Sequence, residues 1–313
     1  MKLTEWNAGD TYTGFFVLKN VTLKTTNAGK PFLSVSLSDA SGMVEAKAWD
    51  YSGPIGPADE GKIAKVQGLM QEFKGAPQVK IDRIRLAVPQ DPYDPADLVP
   101  TAPMDLPSAY ARVEALVDSM SDPAYKAICL ELLRRHGEGF RKVPAAKSVH
   151  HGFVGGLLMH TSYMLEIAEF LARLYPQVVQ RDLLLAGTLL HDFAKLEEFV
   201  TSQLGLVTEY SKKGQLLGHL VLGAQEVAEV AALLNIPEEK SVLLQHMLLS
   251  HHGQPEFGAA VVPMCAEAEL LSYIDNIDSR MEIYRDAMEK TPAGQFSQRI
   301  FALDKKIYHP EET

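Results

Sequence analysis

The chain has 313 residues, long enough for two ordinary domains or one large one. Hydrophobic residues make up 46% and charged residues 22%, a composition typical of soluble globular proteins. The net charge of −10 argues against a protein that simply coats nucleic acid. The sequence has no 18-residue apolar run and no apolar N-terminal segment, so we expect neither a membrane span nor a signal peptide. Cys129 and Cys265 are the only cysteines, which predicts no disulfide framework and a location in the reducing cytoplasm.

The charge is unevenly distributed. Residues 1–90 hold 11 Lys/Arg and 9 Asp/Glu, a balance of +2, so the remaining 223 residues carry −12. We therefore expect nucleic-acid contacts in the first part of the chain, or contacts that depend on metal ions in the second.

The first part of the chain has the pattern of a small β-barrel. Alternating or clustered β-formers, separated by turn signals at residues 27–29 and 39–42, predict five short strands. These strands are predicted at residues 11–18, 32–37, 44–49, 63–68 and 78–85. Five strands within about 75 residues indicate an all-β closed barrel of the OB-fold size.

A proline-rich segment then marks a domain boundary. Six prolines between residues 89 and 107 disfavour both helix and central strand, so we predict domains at 1–88 and 108–313 joined by a linker at 89–107.

The second domain is predicted to be an all-α helical bundle, because apolar residues recur at i, i+3 and i+4. The predicted helices are 110–120, 124–136, 157–175, 181–199, 218–234, 238–251 and 266–290. Residues 200–215 are predicted to form a loop or short hairpin, and the pattern of residues 296–313 is ambiguous.

Histidines and aspartates recur along these helices at spacings of 31, 28, 32 and 24 residues. They are His160, His191 with Asp192, His219, His251 with His252, and Asp275. Each lies on or at the end of a different predicted helix, and the inward faces of a bundle can converge on one metal site. Neutral imidazoles suit first-row ions such as Mn, Fe, Co or Zn, whereas carboxylates can bridge two cations.

The adjacent His191 and Asp192 suggest how such a site is built. Neighbouring residues lie about 100° apart on a helix, so both can reach metal only near the helix edge. A bridging Asp192, with His191 on one ion, satisfies this geometry, and two ions roughly 3.5–4 Å apart can clamp the oxygens of a phosphate. Lys195, four residues after His191, is predicted to share its helix face and to stabilise negative charge as a catalytic residue beside Asp192.

The other histidines allow different interpretations. His136, His246 and His309 are interpreted as structural. His150 and His151 precede a glycine-rich turn, where they could contact a substrate phosphate or only cap the next helix.

Five sequence blocks together resemble the HD superfamily of metal-dependent phosphohydrolases. They are residues 150–161 (HHGFVGGLLMHT), 187–195 (GTLLHDFAK), 214–220 (GQLLGHL), 250–253 (SHHG) and 273–278 (YIDNID). Residues 29–42 and 48–50 also resemble the OB-fold segment that precedes the HD domain in YhaM-type 3′–5′ exoribonucleases. The resemblance covers nearly the whole chain and keeps the order of the two domains.

The resemblance implies two divalent ions. It assigns His160, His191, Asp192 and Asp275 to one ion, with Asp278 as the alternative to Asp275. It assigns Asp192, His219 and one or both of His251 and His252 to the other. Manganese is the expected metal, with iron, cobalt, zinc, nickel and magnesium as alternatives.

The implied activity is removal of 3′-terminal nucleotides from single-stranded RNA, with single-stranded DNA as a further substrate. The barrel would hold the strand by stacking bases on aromatic side chains beside cations, and Lys30 and Trp49 are the candidates for this role. The alternatives are an HD-type nucleotidase or cyclic-nucleotide phosphodiesterase, and a non-catalytic nucleic-acid-binding factor. No membrane partner is expected, and the sequence leaves homo-oligomer formation open.

Overall fold

The protein divides into two compact units. A computed structural model describes residues 2–73, 75–146, 152–202 and 204–311. The first unit comprises residues 1–101 with 202–204, and the second comprises residues 102–201 with 205–313.

The first unit is built on five strands that close into a barrel in the order β1-β2-β3-β5-β4. The strands are β1 (Thr11–Thr25), β2 (Pro31–Asp39), β3 (Gly42–Trp49), β4 (Ile63–Phe73) and β5 (Ala76–Leu86). Strand β3 pairs parallel to β5, and the other neighbours pair antiparallel. The predicted barrel is confirmed, with strands longer than the sequence pattern indicates.

The length of β1 closes the barrel. Its first half pairs with β4, and its second half pairs with β2. Within the pairing with β2 the register shifts between Lys19 and Thr22, where Asn20 has a φ of 52°. Irregularities of this kind bend a strand and increase its local twist. The barrel interior is filled by fully buried apolar side chains such as Leu18, Leu33 and Val66.

The predicted proline-rich linker is partly structured. Helix α1 (Pro95–Leu98) packs on β1 and β2, and the carbonyl of Asp97 accepts a hydrogen bond from the amide of Ala40 at 3.0 Å. Leu98 and Val99 are buried. A proline is compatible with the first turn of a helix, where its missing N–H is not needed. The first unit therefore extends to residue 101, beyond the boundary predicted at residue 88.

The second unit is a helical bundle with one small hairpin. Its helices are α2 (Leu106–Asp118), α3 (Pro123–Phe140), α4 (Gly156–Leu174), α5 (Arg181–Leu190), α6 (Lys195–Glu198), α7 (Lys212–Leu233), α8 (Glu238–Ser250) and α9 (Ala266–Glu289). The hairpin strands are β6 (Phe199–Thr201) and β7 (Val207–Tyr210). Side-chain caps from Asp105, Asp122 and Ser211 begin α2, α3 and α7 by accepting amide hydrogen bonds. The predicted all-α second domain is thus confirmed, and residues 199–210 form the short hairpin.

Helix α7 is long and apolar enough to cross a membrane by length and composition alone. In this unit it packs against α8 and buries apolar residues such as Val227 and Val230 in the common core. That burial is typical of the core helix of a globular bundle.

The predicted continuous helix 181–199 is wrong in one respect. Helix α5 ends at Leu190, a turn follows, and the short α6 begins at Lys195. Helix α7 likewise begins at Lys212, six residues earlier than predicted, and contains Gly218 with a non-helical φ of 72°.

Candidate metal centre

The break between α5 and α6 places His191 and Asp192 at one point. His191 caps the C-terminus of α5, and its Nδ1–H donates to the carbonyl of Thr188 at 2.8 Å. Asp192 follows in the turn, and its Oδ2 lies 3.3 Å from His191 Nε2, so both side chains face the same point of the bundle interior. The expectation that Lys195 shares a helix face with His191 is therefore wrong, because the two residues are not on one helix.

Four buried imidazoles have the same internal arrangement. In each, Nδ1 is bonded to an oxygen atom, and Nε2 faces the carboxylate of Asp192. His191 and His251 donate to the backbone carbonyls of Thr188 and Leu248 at 2.8 and 2.7 Å. His160 is bonded to Asp278 Oδ2 at 2.6 Å, and His219 to both carboxylate oxygens of Glu198 at 3.1 Å. Metal-ligating histidines almost always have such a partner on the other nitrogen.

The four Nε2 atoms surround the carboxylate of Asp192. Oδ2 lies 3.3 Å from His191 Nε2 and 3.9 Å from His160 Nε2. Oδ1 lies 3.3 Å from His219 Nε2 and 3.9 Å from His251 Nε2. Each oxygen of one carboxylate thus faces its own pair of imidazoles, which is the geometry of a bridging ligand.

Further side chains complete the two groups. Asp275 Oδ1 is 3.4 Å from His160 Nε2, on the Oδ2 side of Asp192. His252 lies with His219 and His251, and the three offer ligand atoms within 4.8 Å of one another. The geometry separates the two aspartates of α9: Asp275 faces the centre, whereas Asp278 is bonded to the far nitrogen of His160.

The electrostatics of the cluster keep its carboxylates ionised. Burial would raise the pKa of Asp192, but Lys195 and His191 outweigh it and hold that pKa well below its ordinary value. Burial would lower the pKa of His160, but Asp275 and Asp278 raise it to about 9. Burial and the neighbouring imidazoles lower the pKa of His251 far below its ordinary value. The side chains themselves therefore combine anionic carboxylates with a neutral His251 and a protonated His160, whose proton a metal ion would displace.

These residues fit a bound cation. Asp192 Oδ1 and His219 Nε2 are both buried and have no hydrogen-bond partner among the described residues, although they lie 3.3 Å apart. With Nδ1 of His219 donating to Glu198, two acceptors face each other across this gap. Unpaired buried acceptors are costly, and a divalent ion between them would satisfy both. A mixed imidazole and carboxylate set suits first-row transition metals.

Lys195 meets the same carboxylate from the first turn of α6. Its Nζ donates to Asp192 Oδ2 at 2.7 Å, and its side chain is 13% exposed. Burial would lower the pKa of Lys195, but the charge of Asp192 outweighs it, so the pKa is raised and the ammonium persists.

Four further residues are predicted to contact the substrate. His150 and His151 are outside the described residues. Lys30 and Trp49 belong to the barrel, where Lys30 pairs with Asp50 at 3.0 Å and both side chains are largely exposed.

Trp49 is part of an exposed aromatic group on the barrel, which we call the stacking face and which consists of Phe32, Lys47, Trp49 and Phe73. The rings of Phe32 and Trp49 are 4.9 Å apart, and Lys47 Nζ lies 5.7 Å from the Trp49 ring and 5.3 Å from the Phe73 ring. Trp49 and Phe73 are 45% and 47% exposed. Exposed rings beside a cation are the arrangement that single-stranded nucleic acids use for stacking.

Glu198 was missed by sequence analysis. It is 7% exposed, and besides the His219 imidazole its Oε1 accepts the backbone N–H of His219 at 3.1 Å. Glu197 and Glu198 are adjacent, and a pair of acidic residues is typical of a solvated surface. Only the packing of α6 against α7 shows its role.

We expect Glu198→Gln to weaken metal binding about 10- to 100-fold, because glutamine keeps the shape but loses the charge that orients and polarises His219. Titration of the metal-free protein with Mn²⁺, followed by calorimetry, measures this change. Glu197→Gln is the matched control, since the carboxylate of Glu197 forms an exposed ion pair with Lys213 at 3.0 Å. Equal metal affinity in the two variants would contradict the orienting role.

Comparisons with known proteins agree with this arrangement. The family model described as "HD domain" matches residues 157–280. The 3′–5′ exoribonuclease YhaM of Geobacillus sp. (strain WCH70) is 38% identical over 312 residues, which cover 98% of this chain and 94% of that protein.

Two solved structures are also similar to part of the chain. The second OB-fold domain of replication protein A from Methanococcus maripaludis is 16% identical, with a TM-score of 0.22, over 30% of this chain and 98% of that one. A replication protein A heterotrimer bound to ssDNA is 20% identical, with a TM-score of 0.22, over 28% of this chain and 63% of that one. Identity of 38% along nearly the full length of both proteins is decisive, and the chain belongs to the YhaM family of 3′–5′ exoribonucleases, with a metal-dependent HD domain.

Proposed function

We propose that this protein removes nucleotides from the 3′ end of single-stranded RNA, and of single-stranded DNA, by metal-dependent hydrolysis of phosphodiester bonds. The observation that carries the proposal is the convergence of four Nε2 atoms on the two oxygens of Asp192. Membership of the YhaM family supports the same activity.

We assign the ligands to two divalent ions, with manganese as the expected metal. One would be held by His160, His191, Asp275 and Asp192 Oδ2. The other would be held by His219, His251, His252 and Asp192 Oδ1. When bound, such ions act as Lewis acids on a phosphoryl oxygen and lower the pKa of water.

Lys195 is assigned to the stabilisation of negative charge during hydrolysis. Within the part of the chain that the structure describes, one of its ammonium hydrogens is bonded to Asp192, so the others are available to a phosphate oxygen or to the leaving oxygen. A buried ammonium stabilises developing negative charge more strongly than an exposed one, because little water screens it. Its raised pKa keeps it charged throughout the neutral range.

The barrel is assigned to substrate binding. The stacking face offers two exposed rings and one cation to the bases of a single strand, and stacking tolerates any base sequence. This role distinguishes an exonuclease from a nucleotidase or a cyclic-nucleotide phosphodiesterase, neither of which needs a strand-binding surface.

Labelled oligonucleotides test the activity. With Mn²⁺, 3′-labelled RNA should release its label as a mononucleotide at once, while 5′-labelled RNA should give a ladder of progressively shorter products. Circular RNA should remain intact, and chelation with EDTA should stop the reaction. Cleavage of circular RNA, or turnover of cyclic or free nucleotides alone, would refute the proposal.

We expect Trp49→Ala to weaken binding of single-stranded RNA about 5- to 150-fold, corresponding to the 1–3 kcal/mol typical of one stacked base. Fluorescence anisotropy in EDTA measures binding without cleavage. Met43→Ala is the control, because Met43 is an exposed apolar residue of the same barrel (59%) outside the stacking face. Turnover of a dinucleotide should be unchanged in both variants, and native RNA affinity in Trp49→Ala would rule out the stacking role.

A further inference from the structure

A second surface of the barrel carries cations in register across three strands. On β1, β4 and β5, residues that pair directly form two rows: Thr13, Gln67 and Arg83 in one, and Phe15, Lys65 and Arg85 in the next. We call these six residues the basic face. Residues in such rows are neighbours on one surface of the sheet, with strands about 4.8 Å apart.

A β-bulge produces this alignment. Gln67 pairs with Arg83 and Gly68 with Ile81, so Asp82 is the extra residue on β5. Asp82 lies 4.0 Å from Lys80 in an ion pair instead of meeting the cations of the basic face. Bulges commonly re-aim side chains in this way.

The basic face has uncompensated positive charge. Lys65 stands directly opposite Arg85, although like charges in such pairs are destabilising. Arg85 is neutralised by Asp91 through two hydrogen bonds of 2.7 Å. Arg83 is exposed and makes no ion pair within the described part of the chain, so charge remains for a ligand.

The basic face is also concave and partly aromatic. A cavity of about 430 Å³ is lined by Thr13, Lys65, Gln67, Arg83, Ile84 and Arg85, none of which is acidic. Lys65 Nζ lies 5.5 Å from the Phe15 ring, which holds the ammonium over the sheet. Cations, a hydroxyl and an amide around one depression are complementary to phosphate and sugar groups.

We propose that the basic face binds the phosphate backbone of the single-stranded RNA substrate, separately from the stacking face on β2, β3 and the end of β4. The inference rests on the proposed function, since it takes RNA as the ligand. Lys65 and Arg83 supply the ionic contacts, and Thr13 and Gln67 supply neutral hydrogen bonds.

The salt dependence of RNA binding tests the proposal. Each lost phosphate contact lowers the slope of log K against log salt by about 0.7 for a single strand. For the double variant Lys65→Gln with Arg83→Gln, the magnitude of this slope should therefore be about 1.4 smaller than for the native protein. Anisotropy of a labelled 20-nucleotide RNA in EDTA gives the slope, and Arg83→Gln alone should give half the change.

A double variant of two exposed arginines in the second unit, Arg134→Gln with Arg173→Gln, controls for net charge. It should keep the native slope. If the basic-face variant also keeps the native slope and affinity, the proposal is overturned and an acidic protein partner becomes the better explanation. Failure of the proposed function is distinguishable, because the native protein would then bind RNA with the full slope but release no nucleotide with Mn²⁺.

Discussion

Replacing Asp192 by asparagine is expected to abolish turnover of single-stranded RNA, by roughly 10³-fold or more. Asp192 is the carboxylate whose two oxygens face both groups of imidazoles, at 3.3 Å from His191 and 3.3 Å from His219. Asparagine keeps the size of the side chain, but it removes the negative charge and offers one oxygen instead of two. On the proposed two-ion assignment, metal content should fall from two ions per chain to one or none.

The same substitution leaves the buried ammonium of Lys195 without its partner, which can cost several kcal/mol of stability. His191→Ala therefore provides an independent route to the same result, since His191 makes no contact with Lys195 among the described hydrogen bonds and ion pairs. Circular dichroism and RNA anisotropy in EDTA should show native folding and binding for at least one variant.

His136→Ala is the matched control for these experiments. His136 is a half-buried imidazole of the same unit, bonded to Glu226 at 2.6 Å and outside the cluster. It should retain near-native turnover. Retention of a tenth of the native rate by a folded Asp192→Asn protein would show that hydrolysis does not depend on a bridging carboxylate.

The barrel could be predicted from sequence because its strands alternate apolar and polar residues over short distances. What the pattern did not reveal is the full length of β1. Residues 19 and 20 interrupt the alternation, so the strand was expected to end at residue 18, yet it continues to Thr25. The interruption coincides with the register shift around Asn20 within the pairing with β2, and that pairing depends on a strand later in the chain.

The candidate ligands could also be predicted, because each histidine or aspartate stood in a separate helical pattern. The break after Leu190 could not. Apolar residues continue at helical spacing through Phe193 and Leu196, so periodicity predicted one helix. The structure shows the helix ending where His191 bonds back to the carbonyl of Thr188, an interaction of side-chain geometry rather than of hydrophobic pattern.

The hydrogen bonds that orient the metal ligand His219 come from Glu198, which is 21 residues away in the chain. No local sequence pattern predicts that contact. Glu198 reaches His219 only because α6 lies against the first turns of α7. The backbone of Glu198 is fixed there by a hydrogen bond of 2.8 Å from the amide of Ser211. Close approach of two backbones at this point requires a residue without a side chain.

Gly214 is that residue. We expect Gly214→Ala to lower both the stability of the protein and the metal affinity of the group around His219, although Gly214 is not itself a ligand. An added Cβ would lie 2.4 Å from the carbonyl oxygen of Glu198 and 2.8 Å from its Cα, both backbone atoms that cannot rotate away. To remove this clash, α6 and α7 must move apart by about 1 Å, because ordinary contacts of a Cβ atom begin near 3.4 Å. Overpacking of this kind typically costs about 1–3 kcal/mol of folding free energy.

The separation should act on chemistry as well as on stability, because Glu198 orients His219 through a 3.1 Å contact that does not survive such a shift. We expect the metal group around His219 to lose affinity at least tenfold, with turnover falling in proportion at limiting Mn²⁺. Gly223→Ala on the same helix is the control.

Its Cβ would lie 3.1 Å from Cδ2 of Leu248, a side-chain atom that can move. No backbone atom from outside helix α7 lies within 4 Å of it among the described residues. Thermal unfolding and Mn²⁺ titration of both variants separate the two effects. If Gly214→Ala kept the native Mn²⁺ affinity while losing stability, the packing of α6 on α7 would matter for folding alone, and the assignment of Glu198 as the residue that positions His219 would fail.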